Sequence, residues 1–162
     1  MIIWTCDFRE NTGEGKLARL YVQTLKQKNQ KKIKKLSPDY DYSIKTNSFK
    51  KIKKKKKIDY NSIYSRYIYP IIGCFYSWYY YFLGRKFIYV NYLPLWNILL
   101  FLFLAPRSQI GPITGSTRSD NNLLRKVFPF LFIISVALIN LRFKKLILAT
   151  NNLNDYFVKS NV

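Results

Sequence analysis

Residues 2–19, IIWTCDFRENTGEGKLAR, pass from an apolar tripeptide through a polar loop to two glycines one residue apart, then into a helical pattern. That order reads as strand, loop and helix, the opening unit of many nucleotide-binding α/β domains. Leu17, Leu20, Tyr21 and Leu25 fall at i, i+3, i+4 and i+8 and predict one apolar helix face, while Lys16, Arg19, Gln23 and Lys26 lie elsewhere. Gly13 and Gly15 permit close approach of backbone to a ligand, and the helix start offers N–H groups to a phosphate. Gly13-x-Gly15-x-x-Ala18 matches the dinucleotide fingerprint in letters. In that fingerprint the first glycine follows the strand directly and an acid ends the second strand. Here residues 7–12 intervene, and Asp39 and Asp41 stand at the start of the next apolar run, so NAD and FAD are set aside. A glycine-containing turn with no ligand is the alternative reading.

The chain beyond this unit keeps alternating. Residues 26–35 form a basic connector, Ser37-Pro38-Asp39 reads as a turn, and residues 40–46 as a short strand. Residues 50–57 are nearly all lysine and are expected to be solvated and mobile, or to anchor anionic lipid heads. Residues 60–83 are strongly aromatic at helical spacing, with a break or bend expected near Pro70 and Gly73. Such a stretch suits a packed core helix or a membrane interface. Residues 87–91 read as a buried strand ended by Tyr92-Leu93-Pro94, residues 95–104 as a helix and 109–114 as a strand. The polar loop 115–120 follows. Asn121 or Asn122 caps a helix from Leu123 to about Phe143, and residues 146–150 form a last strand. Short bulky strands alternating with helices predict an α/β fold, a Rossmann-like parallel sheet with flanking helices, in one domain. Ligands of such sheets bind at the carboxyl ends of the strands, where both glycine-bearing loops, 13–15 and 114–116, are placed.

Charge narrows the partners. The 28 Lys and Arg against 8 Asp and Glu give a net charge of +20, and half of the cations lie between Lys26 and Lys57. That balance implies anionic partners: phospholipid surface, nucleic acid or a phosphorylated substrate. A coding bias toward A/T-rich codons would also inflate Lys, Asn, Ile, Tyr and Phe. Histidine is absent, which removes the commonest metal ligand and general base, and no metal site is expected. Two cysteines, Cys6 and Cys74, suit a reducing compartment. Asp7, Arg9 and Glu10 interrupt the first apolar residues at once, unlike a signal peptide.

Two other readings compete. Residues 87–106 reach the length of a membrane span and residues 127–143 approach it, but Asn91, Pro94, Asn97, Pro129 and Asn140 interrupt them. A basic membrane protein without catalytic activity is therefore the alternative, although lying on the membrane fits the lysines and aromatics better than crossing it. Non-specific nucleic-acid binding through the lysine block is weaker, because the aromatics cluster in apolar segments.

Residues 3–19, 91–97 (NYLPLWN) and 111–115 (GPITG) together resemble the N-terminal, acceptor-side half of bacterial GT-B-type glycosyltransferases, the group of glycogen-synthase-like and lipopolysaccharide sugar transferases. The resemblance covers most of the chain except the lysine-rich insert, residues 26–59. It implies transfer of a sugar from a nucleotide sugar to a cell-envelope or lipid-linked glycan acceptor, with no cofactor beyond that donor. It further implies substrate contacts from Gly13, Glu14, Gly15 and Lys16 on the first loop and from Thr114, Gly115, Ser116 and Arg118 on the second. Asp7, Glu10 and Asp120 are the carboxylates near those loops. A second nucleotide-binding domain with two spaced glutamates is part of the family and has no counterpart here, nor has its cleft histidine. The chain alone is thus expected to be inactive, as a split subunit partnered by a separate C-terminal glycosyltransferase subunit, a truncated gene product or a degenerate remnant; its expected place is the cytoplasmic face of the cell membrane, as a peripheral protein on an anionic surface.

Overall fold

Ile2, Ile3 and Trp4 are all buried, as a strand must be when helices cover both faces of its sheet. These residues form β1 (Ile2–Trp4) of the computed structural model, which describes residues 1–27, 33–37, 40–42, 49–51, 67–95, 97–114, 122–149 and 151–157. The chain continues through α1 (Gly13–Gln27), β2 (Lys34–Leu36), β3 (Tyr40–Tyr42), β4 (Phe49–Lys51) and α2 (Tyr69–Phe82). There follow β5 (Phe87–Pro94), α3 (Ile98–Phe103), β6 (Gln109–Thr114), α4 (Asn122–Arg142), β7 (Lys145–Leu148) and a 3₁₀ turn at Asn151–Tyr156. The strands make one sheet in the order β4-β3-β2-β1-β5-β6-β7. Pairing is parallel from β2 through β1, β5 and β6 to β7, and antiparallel for β2–β3 and β3–β4. The fold is α/β with a parallel sheet and flanking helices, as the alternation predicts.

The parallel strands run outward from β1 to β2, then resume on the other side of β1 with β5, β6 and β7. The order therefore reverses between β1 and β5, which opens a crevice above their carboxyl ends. Side chains alternate across the sheet. Ile2, Trp4, Phe87, Tyr89 and Leu93 enter the larger core with Cys74 and Tyr80 of α2, Phe101 of α3 and Ile139 of α4. Ile3, Ile88 and Val90 meet Ala18 and Val22 of α1 on the opposite face.

Several expectations are corrected. The inner face of α1 is built on Ala18 and Val22, flanked by Leu17, Tyr21 and Leu25, while Leu20 is 61% exposed. At about 100° per residue Leu20 lies some 200° around the helix from Ala18, so the small alanine takes the close contact and the leucine faces out. The basic connector contains β2, held by pairing with β1 despite its lysines, and β4 lies at the head of the lysine block. Ladder bonds outweigh the weak strand preference of lysine there. Pro70 stands in the first turn of α2, where no intrahelical N–H is needed, rather than at a bend. A Cβ on Gly73 would run into the Trp4 indole and the Tyr89 ring, so this glycine serves close packing of helix on sheet. β5 continues to Pro94 instead of stopping at Asn91. α3 starts at Ile98 because the Asn97 side chain caps it through Leu100 N.

Among the described residues, no helix is long and apolar enough to cross a membrane. Residues 87–106, the longer candidate span, divide into a central strand and a six-residue helix, which overturns the reading of that stretch as a membrane span. The helix expected before Tyr67, most of the lysine block, Trp96, loop 115–120, Asn121 and the last five residues lie outside the described residues.

Candidate functional site

A cavity of about 270 Å³ opens at the carboxyl ends of β1 and β5, at the reversal of strand order. Its floor comes from β5, through Tyr89 and Asn91, and its wall from the segment that leaves β1, through Cys6, Asp7 and Arg9. Glu14 enters from α1, and Tyr69 and Pro70 from the start of α2.

Asn91 joins floor to wall. Its Oδ1 accepts from Cys6 N at 2.9 Å and lies 3.2 Å from the Thr5 hydroxyl, and its Nδ2 donates to Cys6 Sγ at 3.0 Å. Thr5 Oγ1 also donates to Asp7 O at 3.0 Å. Asp7 is buried and accepts from Arg9 N at 2.8 Å, while the Arg9 guanidinium grips its carboxylate through Nε and a terminal nitrogen at 2.9–3.1 Å. That two-pronged geometry neutralises the charge of Asp7 inside the wall. Arg19 clamps the same loop from α1, donating to Phe8 O at 2.6 Å and to Glu10 at 2.9 Å. Residues 7–12, the segment that breaks the dinucleotide spacing, are thus tied into a turn of their own.

The glycines take different roles from those expected. Thr12 caps α1: its Oγ1 accepts from Gly15 N at 3.1 Å and its carbonyl from Lys16 N at 2.9 Å. The N–H of Gly15 is therefore spent on the cap. A side chain at Gly15 would strike the backbone of Arg9, so this glycine lets the loop fold over the helix start. A Cβ at Gly13 would meet only the Tyr92 ring, at 3.9 Å. Gly13 and Glu14 are left as first-turn residues whose N–H groups have no intrahelical acceptor. Lys16 is exposed on α1 and does not line the cavity. Thr114 ends β6 opposite Pro94 and accepts from Leu95 N at 3.2 Å, which puts the start of the second loop at the same sheet edge. Gly111, at φ +135°, sits within β6 against the Ile147 backbone, so only the end of the GPITG segment reaches that edge. Gly115, Ser116 and Arg118, with Asp120, fall outside the described residues.

Burial sets the electrostatics. The Glu14 carboxyl is raised above its ordinary value by burial and then by the Asp7 charge, opposed by a backbone hydrogen bond from Tyr92 and by Arg9. Burial pushes the Cys6 thiol up to about 12, against the hydrogen bond from Asn91, so it is a neutral group and no nucleophile. The Tyr89 phenol is raised well above its ordinary value, again by burial. Its hydroxyl is wholly enclosed, with Asn91 and Cys6 as its polar neighbours. Among the described residues, no group of three or more His, Cys, Asp or Glu could hold a metal ion.

The cavity therefore offers a half-buried carboxyl, amides, phenols and aromatic walls, a set that bonds a compact, hydroxyl-rich group. Its volume is below the ~300–1,000 Å³ of most drug-sized sites, which disfavours a whole dinucleotide. Asp7 and Glu14 were legible in the sequence as loop carboxylates; Tyr89 and Asn91 were not. Asn91 had a visible signal, a polar residue inside an apolar strand. No family model, no curated protein and no solved structure matches the chain.

Proposed function

We propose that this chain is the acceptor-side domain of a GT-B-type glycosyltransferase and that the cavity between β1 and β5 receives a sugar of the acceptor glycan. The observation that carries this reading is the cavity at the reversal of strand order, lined by the polar residues Glu14, Asn91, Tyr92 and Asn97. Sugar hydroxyls both donate and accept, and suit a carboxyl, a phenol and amides lining one cavity. Glu14, raised by burial, is the carboxyl suited to draw the proton from an acceptor hydroxyl as it attacks the anomeric carbon of the donor. The departing nucleotide diphosphate needs positive partners. The N–H groups of Gly13 and Glu14 supply part of that, and the reading gives Lys16, Thr114, Gly115, Ser116 and Arg118 the same role. The remainder falls to a second, nucleotide-binding domain. The protein works as a peripheral protein on the inner face of the cell membrane, on a lipid-linked or envelope glycan.

The test is ligand-observed NMR of the full chain against a panel of neutral oligosaccharides and nucleotide sugars, repeated with Y92F and E14Q. Saturation transfer to an oligosaccharide, weakened about 10-fold in either variant, is expected. Transfer to no sugar, or transfer unchanged in both variants, overturns the assignment of the cavity.

A further inference from the structure

The outer side of α2 is apolar along its whole length. Tyr67, Ile71, Phe75, Tyr79 and Phe82 recur at i, i+4, i+8, i+12 and i+15, opposite the buried Gly73, Ser77 and Tyr80. Phe75 is 72% and Phe82 78% exposed, far beyond what a helix covered by its own protein shows. The surface continues sideways. Trp78 Nε1 donates to Phe103 O at 2.8 Å, joining α2 to α3, and Arg142 of α4 donates to Leu102 O and Leu104 O, joining α4 to α3. Leu99 and Phe103 on α3 and Phe130 and Ile133 on α4 are exposed beside it. Monomers rarely show apolar surface over three adjacent helices without a partner for it.

Charge identifies the partner. α2, α3 and α4 contain no acidic residue. Each ends at the amino edge of the sheet and is followed there by exposed cations: Arg85 and Lys86 after α2, Arg107 after α3, Lys144 and Lys145 around the start of β7. Arg85, Lys86 and Arg107 converge on a cleft of about 290 Å³ between the loops that precede β5 and β6. Arg107 is held at φ +66°, a left-handed conformation that non-glycine residues adopt at a cost. Arg142, by contrast, is committed to the α3 carbonyls, so the others are not all needed to neutralise helix ends. A second copy on this face would bring the same cations together. A lipid interface accepts tyrosine and phenylalanine rings edged by lysine and arginine.

We propose that the outer side of α2, α3 and α4, edged by Arg85, Lys86 and Arg107, is a docking surface for an anionic phospholipid bilayer. The proposal rests on the peripheral attachment read above and adds the surface that makes it. α2 begins with Tyr69 and Pro70 in the wall of the candidate cavity and ends beside the cationic cleft. A bilayer along α2 therefore brings the cavity mouth to the level of lipid head groups, where a lipid-linked glycan is presented.

Co-sedimentation of the full chain with phosphatidylcholine vesicles, with and without phosphatidylglycerol, tests this. The wild type is expected to bind the anionic vesicles and to be released by salt. F75S/F82S should weaken binding about tenfold or more, and R85Q/K86Q about fivefold for each charge removed. L20S, on the opposite face of the sheet, should bind like wild type; matching circular dichroism melts show that all three fold. Binding unchanged in both surface variants, but lost when Lys53 to Lys57 become glutamine, overturns the surface while leaving peripheral attachment in place. Absence of wild-type binding overturns both. A dimer in sedimentation velocity that F75S/F82S disperses overturns the proposal in favour of self-association.

Discussion

Replacing Asn91 by alanine isolates what holds the candidate cavity together. The carboxamide accepts from Cys6 N at 2.9 Å and donates to Cys6 Sγ at 3.0 Å, and the residue is 4% exposed. Alanine leaves the Cys6 N–H enclosed without an acceptor, at ~1–3 kcal/mol. Thr5 keeps Asp7 O as a partner, so its loss is small. The void left by the carboxamide adds about 1 kcal/mol. The expected destabilisation is about 2–4 kcal/mol, or roughly 5–15 °C in melting temperature for a domain of this size. Urea denaturation followed by far-UV circular dichroism should show a lower midpoint with an unchanged slope. T24A is the comparison, because Thr24 also gives up one hydrogen bond, to Leu20 O at 3.0 Å, but in solvent. It should change stability by less than about 0.5 kcal/mol. Equal effects in N91A and T24A would refute the premise that burial makes the Asn91 tie expensive to break.

Three further outcomes follow from the same structure. G15A should cost ~2 kcal/mol or more, since its Cβ meets the Arg9 backbone, whereas G13A should stay within about 1 kcal/mol; thermal melts that reverse this ranking contradict the packing role of Gly15. Glu14 is raised above 4.5 in the folded chain, so the native state holds its proton longer than the unfolded one, and this group's contribution to stability falls as pH rises from 4.5 through the raised value. E14Q should flatten that part of the pH–stability curve, and an unchanged curve rules out burial of the carboxyl. Cys6 and Cys74, each pushed from 9.0 to about 12 by burial, should carry roughly a thousandfold less thiolate than free cysteine; rapid alkylation of the native protein by iodoacetamide at pH 8, seen by mass spectrometry, would contradict this.

The alternation of elements was legible in the sequence because each buried strand is a short apolar run between turn residues. Residues 109–114 coincide with β6, and the helices around 69–82 and 122–142 follow the 3.6-residue period. What escaped is set by partners distant in sequence. β2 reads as a lysine connector and becomes a strand only by pairing with β1. Leu20 and Ala18 are both compatible with an inward face, and only the sheet's need for close approach chooses the alanine. For the site, Asp7 and Glu14 could be placed near a loop by counting along the chain. Asn91 meets Cys6 across 85 positions, and no local pattern announces that.

The two glycines sharpen the distinction between a motif and a site. Spacing alone makes Gly13 and Gly15 a ligand loop, yet Gly15 gives its N–H to Thr12 and its missing side chain to Arg9. The same loop buries Asp7 against Arg9, which removes one carboxylate from chemistry and leaves Glu14 as the described carboxyl in the cavity without an ion-pair partner. Stability accounts for the Gly15 and Asp7 interactions without a ligand. It accounts equally for Tyr89, whose ring is well packed and whose enclosed hydroxyl has Asn91 and Cys6 as neighbours, but not for Tyr92, a cavity-lining phenol 42% exposed. Y89F should therefore cost about 1 kcal/mol and leave sugar binding intact, whereas Y92F should leave stability unchanged and weaken sugar binding. A Y92F variant that lost stability and kept binding would show that hydroxyl to be structural and move the recognition of ligand elsewhere on the sheet edge.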